Sequence, residues 1–113
     1  MEYNGKKFLE KFKEDQFYVG FLKGVKGWFP ICLAREEGEG DDVKVPDKPA
    51  RLCVSDSREK ITELAEYLKE KIPAVEALEV LYLFPVEIGN LLEKYGLEKI
   101  EFLKAELKEQ KIS

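Results

Sequence analysis

The chain has 113 residues, 44% of them hydrophobic and 12% aromatic, which is the size and composition of one globular domain able to bury a core without a metal or disulfide staple. Its net charge of −4 speaks against a nucleic-acid partner, and no apolar run approaches the roughly 18 residues of a membrane span. Histidine is absent, so the commonest general base is missing, and two cysteines without histidine make a poor zinc set.

Residues 4–15 read as a first helix, with Asn4 as N-cap and Phe8, Leu9 and Phe12 as its apolar stripe. Residues 16–23 follow as a strand. There Phe17, Val19 and Phe21 point one way and Tyr18 and Leu22 the other. Gly24-Val25-Lys26-Gly27 reads as a hairpin turn leading to a return strand over 27–34, in which Pro30 marks a bulge or an edge.

Residues 35–49 are acidic and rich in glycine and proline, and read as a flexible loop. The alternative is a site for a cation or a basic partner. Glu39, Asp41 and Asp42 lack the EF-hand register, however.

A third strand is expected at 50–55. A helix over 57–71 follows, with Asp56 as N-cap, Glu59 at N3, and Ile61, Leu64, Ala65 and Leu68 as its stripe. The run 77–84 carries one charge, Glu79, and reads as a strand buried on both faces. Pro85 opens the next helix, with Ile88, Leu91, Leu92 and Tyr95 as its stripe and Gly96 as its left-handed terminator. Residues 99–105 read as a last strand and 106–113 as a charged tail.

The expected architecture is thus a single α+β or α/β domain spanning 1–113. It has a mixed sheet of about five strands in the order α-β-β-β-α-β-α-β, with helices packed on the sheet. The last three strands should be parallel with right-handed crossovers, which would put the second and third helices on one face if their strands lay side by side.

Several stretches resemble the N-terminal domain of the SseB (enhanced serine sensitivity) family. They are the leading helix Phe8-Leu9-Glu10-Lys11-Phe12-Lys13 running into Phe17-Tyr18-Val19-Gly20, the turn Ser55-Asp56-Ser57-Arg58-Glu59-Lys60, and Phe84-Pro85-Val86 before a helix. The likeness covers residues 6–105. It implies a fold, and it transfers no catalytic residues.

No catalytic constellation is read from the residues, and no metal or cofactor is expected. A non-enzymatic, cytoplasmic interaction module is the leading functional reading. Its partner would be another protein or a second copy, held through Phe17, Phe21, Trp28 and Phe29 of the hairpin. The competing reading is a small anion bound by Ser55, Ser57, Arg58 and Asn90, where the parallel strands end and helices begin. Capping alone would also explain the serines. Cys32 and Cys53 read as reduced core thiols, with a disulfide as the alternative. The Lys/Glu-rich composition is thermophile-like.

Overall fold

The computed structural model describes residues 2–34 and 50–105; the acidic stretch 35–49 and the tail 106–113 lie outside the described residues. Three helices pack on a mixed seven-stranded sheet. The elements in chain order are β1 (Glu2–Asn4), α1 (Gly5–Lys11), β2 (Phe17–Gly24), β3 (Gly27–Pro30), β4 (Cys32–Ala34), β5 (Ala50–Ser55), α2 (Arg58–Lys71), β6 (Ala77–Leu83), α3 (Pro85–Tyr95) and β7 (Lys99–Leu103).

The sheet has more strands than expected for two reasons. Residues before the first helix form β1, which pairs antiparallel with β7. The return strand of the hairpin is also broken in two after Pro30. β3 is antiparallel to β2, β4 is antiparallel to β5, and β5 is itself antiparallel to β2 through Tyr18 and Ser55. The chain therefore turns a corner at Ile31, whose N–H donates to Gly20 O while its own carbonyl accepts from Cys53 N. Proline, with no N–H to give, suits the point where the ladder changes partner. Gly20 faces the corner closely: a Cβ there would lie 2.7 Å from Ile31 Cδ1 and 3.0 Å from Ile61 Cγ2.

β5 and β7 are adjacent and parallel, as expected. β6 is not beside them. It pairs antiparallel with β2 from Phe17–Leu83 to Lys23–Ala77, so it runs in the sense of β5 with β2 in between. The crossover from β5 to β6 and the crossover from β6 to β7 thus travel in opposite directions along the sheet. Two crossovers of one hand that travel oppositely place their helices on opposite faces. That arrangement is observed. α2 covers one face, burying Ile61, Ala65 and Leu68 with Leu22, Ile31 and Cys53. α1 and α3 share the other, where Phe8, Ile88 and Leu92 meet Phe17, Val19, Leu52, Val54 and Ile100. Placing both later helices on one face would have required the two crossovers to travel the same way along the sheet, with β7 beyond β6, which they do not.

This topology corrects the reading of 77–84. β6 is bonded to one neighbour, β2, among the described residues, and none of its side chains is fully buried. The strand buried on both faces is β5, where Leu52, Cys53, Val54 and Ser55 all have 0% exposure.

Local signals explain the helix ends. Asn4 Oδ1 accepts from Lys7 N at 3.0 Å. The N-cap of α2 is Ser57, whose Oγ accepts from Lys60 N, one residue later than the sequence suggested. Asp56 instead accepts from Ala105 N at 2.8 Å and ties the end of β7 to the start of α2. Pro85 opens α3, and Glu87 reaches back to Phe84 N at 2.8 Å. Gly96, at φ 66°, ends it, with Leu97 N bonded to Leu92 O.

Cys32 and Cys53 are free thiols. Cys32 packs against the α1/α3 cluster and Cys53 lies in the α2 cluster, so the sheet separates them. Burial pushes the Cys32 thiol up to about 11. Cys53, more deeply buried, is raised further by desolvation, with smaller contributions from Cys32 and Glu101.

Candidate functional site

Two regions bear on function: the end of the sheet where β5 and β6 finish, and the outer edge of β6.

At the first, α2 and α3 start on opposite faces, with the beginning of β2 between them. Such a switch point is where open α/β sheets leave a crevice. Ser55, however, is buried, and its hydroxyl is committed: Oγ donates to Leu103 O, linking the two parallel strands, and accepts from Ser57 N at 2.9 Å. Ser57 caps α2. Arg58 is exposed at the head of α2, and Asn90 is exposed in the second turn of α3. Of the four residues proposed for an anion, Arg58 and Asn90 present polar groups with no hydrogen bond among the described residues, and they belong to helices on opposite faces.

The aromatics of the hairpin divide in the same way. Phe17 is 4% exposed beneath α1, its ring centroid 5.1 Å from Phe8, 5.8 Å from Phe12 and 5.6 Å from Phe102. Phe21 packs partly into that cluster, and Phe29 packs partly against the α2 side. Trp28 is 44% exposed on β3.

The larger exposed apolar surface lies where the sequence suggested a buried strand. Leu81 is 38% exposed, Tyr82 51%, Phe84 51% and Val86 71%, a run along β6 into the first turn of α3. Tyr82 is held flat against Tyr18 of β2, ring centroids 4.3 Å apart and stacked. Gln16 Nε2 reaches the Tyr82 carbonyl at 3.4 Å. Sequence reasoning missed this run because a continuous apolar stretch signals a strand covered on both faces. The clue was at its end: Phe84 and Val86 fall outside the stripe Ile88, Leu91, Leu92 and Tyr95, so the helix had no inward use for them.

The sheet's other long margin is treated differently. β1 is three residues long, and Arg51 of β5 approaches both Glu101 (3.4 Å) and Glu2 (3.7 Å), offsetting two carboxylates that stand opposite each other across β1 and β7. A shallow open groove between α1 and α3, lined by Asn4, Lys6, Leu9, Gly89, Glu93 and Glu98, mixes charges of both signs.

Among the described residues no group of three or more His, Cys, Asp or Glu side chains is placed to hold a metal, and no helix is long and apolar enough to cross a membrane. No family model, no curated protein and no solved structure matches this chain.

Proposed function

We propose that this domain is a non-enzymatic interaction module that binds an extended protein segment along the outer edge of β6. The observation that carries the reading is the exposed run Leu81, Tyr82, Phe84 and Val86 on a seven-residue edge strand. Natural sheets blunt such edges with lysine, proline, bulges or short length. β6 has no lysine, proline or bulge and a single charge, Glu79: its sequence is Ala-Leu-Glu-Val-Leu-Tyr-Leu, and it pairs with β2 through all seven residues without a break. Strand addition draws affinity from the main chain and specificity from alternate side chains. Tyr82 and Leu81 would supply the latter, one on each face.

The test is selection of extended peptides from a random displayed library, followed by mapping of the bound site through amide chemical shifts. The expected result is perturbation centred on Leu78, Val80 and Tyr82. Peptides that map to the α1/α3 groove, or no selected peptide, would overturn the reading.

The anion reading keeps one supporting observation, the opening of two helix N-termini at one end of the sheet with Arg58 exposed there. A thermal-shift screen with phosphate, nucleotides and carboxylates tests it. Stabilisation by one anion that is lost in Arg58→Ala supports it, and a flat screen ends it. The likeness to the SseB N-terminal domain is a proposal about kinship, supported by the order of α1 and β2 and by Pro85-Val86 opening α3.

A further inference from the structure

We infer that the strand taken by the β6 edge is β6 of a second copy, paired antiparallel about a two-fold axis at Val80. The inference rests on the strand-addition reading above and goes beyond it by naming the partner and the register.

The direction of the backbone groups decides which residues of β6 face outward. In a strand, the N–H and C=O of one residue point to the same side, and successive residues alternate. The Gly20 carbonyl accepts from Ile31, so Gly20 faces away from β6. The Lys23 carbonyl accepts from Glu76 N at 2.8 Å, so Lys23 faces toward β6. By alternation, Phe17, Val19, Phe21 and Lys23 bond to β6. Their opposite residues are Leu83, Leu81, Glu79 and Ala77. The outward groups of β6 therefore belong to Leu78, Val80 and Tyr82. Among the described residues only the Tyr82 carbonyl meets a donor there, the long contact from Gln16.

These three residues are spaced symmetrically about Val80. With the two-fold axis at Val80, Val80 faces Val80 of the copy, Leu78 faces Tyr82, and Tyr82 faces Leu78. Each of the three is then a bonded pair, so every outward N–H and C=O of the strand is used. An axis at Leu81 pairs Val80 with Tyr82 and sets Leu78 against Phe84, whose N–H already belongs to Glu87. An axis at Glu79 places the strand's one charge directly against itself, which is unfavourable. At Val80 that charge instead meets Leu81 of the copy. Charge, hydrogen-bond phase and strand length select the same register. The pairing would join the two sheets into one, cover Leu81 and Tyr82, and satisfy the self-complementarity that a two-fold contact needs.

Light scattering of the full chain at rising concentration is the primary test, with a mass twice that of the 13.1 kDa chain expected. Three variants then read the register. Val80→Pro removes an outward donor and leaves the β2 ladder intact, so it should give a folded monomer. Leu81→Glu puts a carboxylate opposite Glu79 of the copy at two symmetric places and should weaken the dimer about tenfold. Leu81→Lys places an ammonium there and should hold the dimer or tighten it. Because Leu81 variants leave every backbone bond in place, they report even if the proline variant does not fold. Equal weakening by Leu81→Glu and Leu81→Lys would overturn the register. A mass of one chain at all concentrations would overturn the second copy as partner, and peptide mapping on that monomer would then separately decide the strand-addition reading.

Discussion

β5 and β6 run in the same direction, lead into similar helices and have nearly the same length, yet their fates are opposite. β5 carries Arg51, Cys53 and Ser55 and lies in the middle of the sheet with four consecutive residues at 0% exposure. β6 is the more apolar of the two and lies at the margin. A central strand can hold a serine because its neighbour supplies an acceptor, here Leu103 O. β6 has one such neighbour among the described residues, β2; Leu78, Val80 and Leu83 pack partly against the two cores, while Leu81 and Tyr82 stay exposed. The difference teaches that apolar content alone does not place a strand at the centre of a sheet, and that the described fold pairs only one side of β6.

The largest expected contrast comes from truncating an equivalent leucine on each strand. Leu52→Ala should cost about 3 kcal/mol, as a cavity in a filled core, whereas Leu81→Ala should stay within about 1 kcal/mol in dilute monomer. Urea melts of both variants measure this, and equal losses would abolish the distinction. Next is Ser55→Ala, which removes the donor to Leu103 O and leaves Ser57 N–H without its acceptor. A loss of about 1–2 kcal/mol is expected, together with faster amide exchange at Ser57.

The smallest effect is the pH dependence of Cys53. Its thiol is raised in the folded state above the ordinary value of 9.0. Below pH 9 both states hold the proton and stability does not respond. As pH rises past 9 the unfolded chain releases the proton first, so the folded state loses ground. The urea midpoint of the wild type should therefore fall between pH 8 and pH 10 by more than that of Cys53→Val. A parallel fall in both would show that the thiol plays no part.

Much of this fold was legible in the residues. The stripes of α2 and α3, the Gly24–Gly27 turn, Asn4 as a cap, Gly96 as a terminator and the alternation of Phe17, Val19 and Phe21 against Tyr18 and Leu22 all depend on neighbours within a few positions, where periodicity speaks directly. What was not legible is long-range. Nothing local to 77–83 says that its partner is β2 rather than β5, and nothing local to 99–103 says that β7 returns to the far side of β5, the step that puts α2 and α3 on opposite faces. The corner at Ile31 was foreshadowed by Pro30, but its double attachment to Gly20 and Cys53 depends on strands far apart in sequence. The candidate site followed the same rule. Phe17 looked available until α1 was placed over it, and the exposure of Leu81 and Tyr82 emerged only once β6 was known to be marginal.

The sheet is also closed late. Among the described residues only β2–β3 and β4–β5 join strands consecutive in the chain. β2 waits for β6, β5 waits for β7, and β1, the first strand made, pairs with the last. A chain emerging from the ribosome can therefore hold its hairpin early, can add β6 to β2 only once residues 77–83 are out, and must leave β1 and one side of β5 unpaired until residues 99–103 are out. Contacts of such sequence separation slow folding and leave unpaired strands exposed in the meantime. A nascent chain halted with residues up to 95 free should still be protease-sensitive at β1, and should gain protection there once β7 is free to insert between β5 and β1.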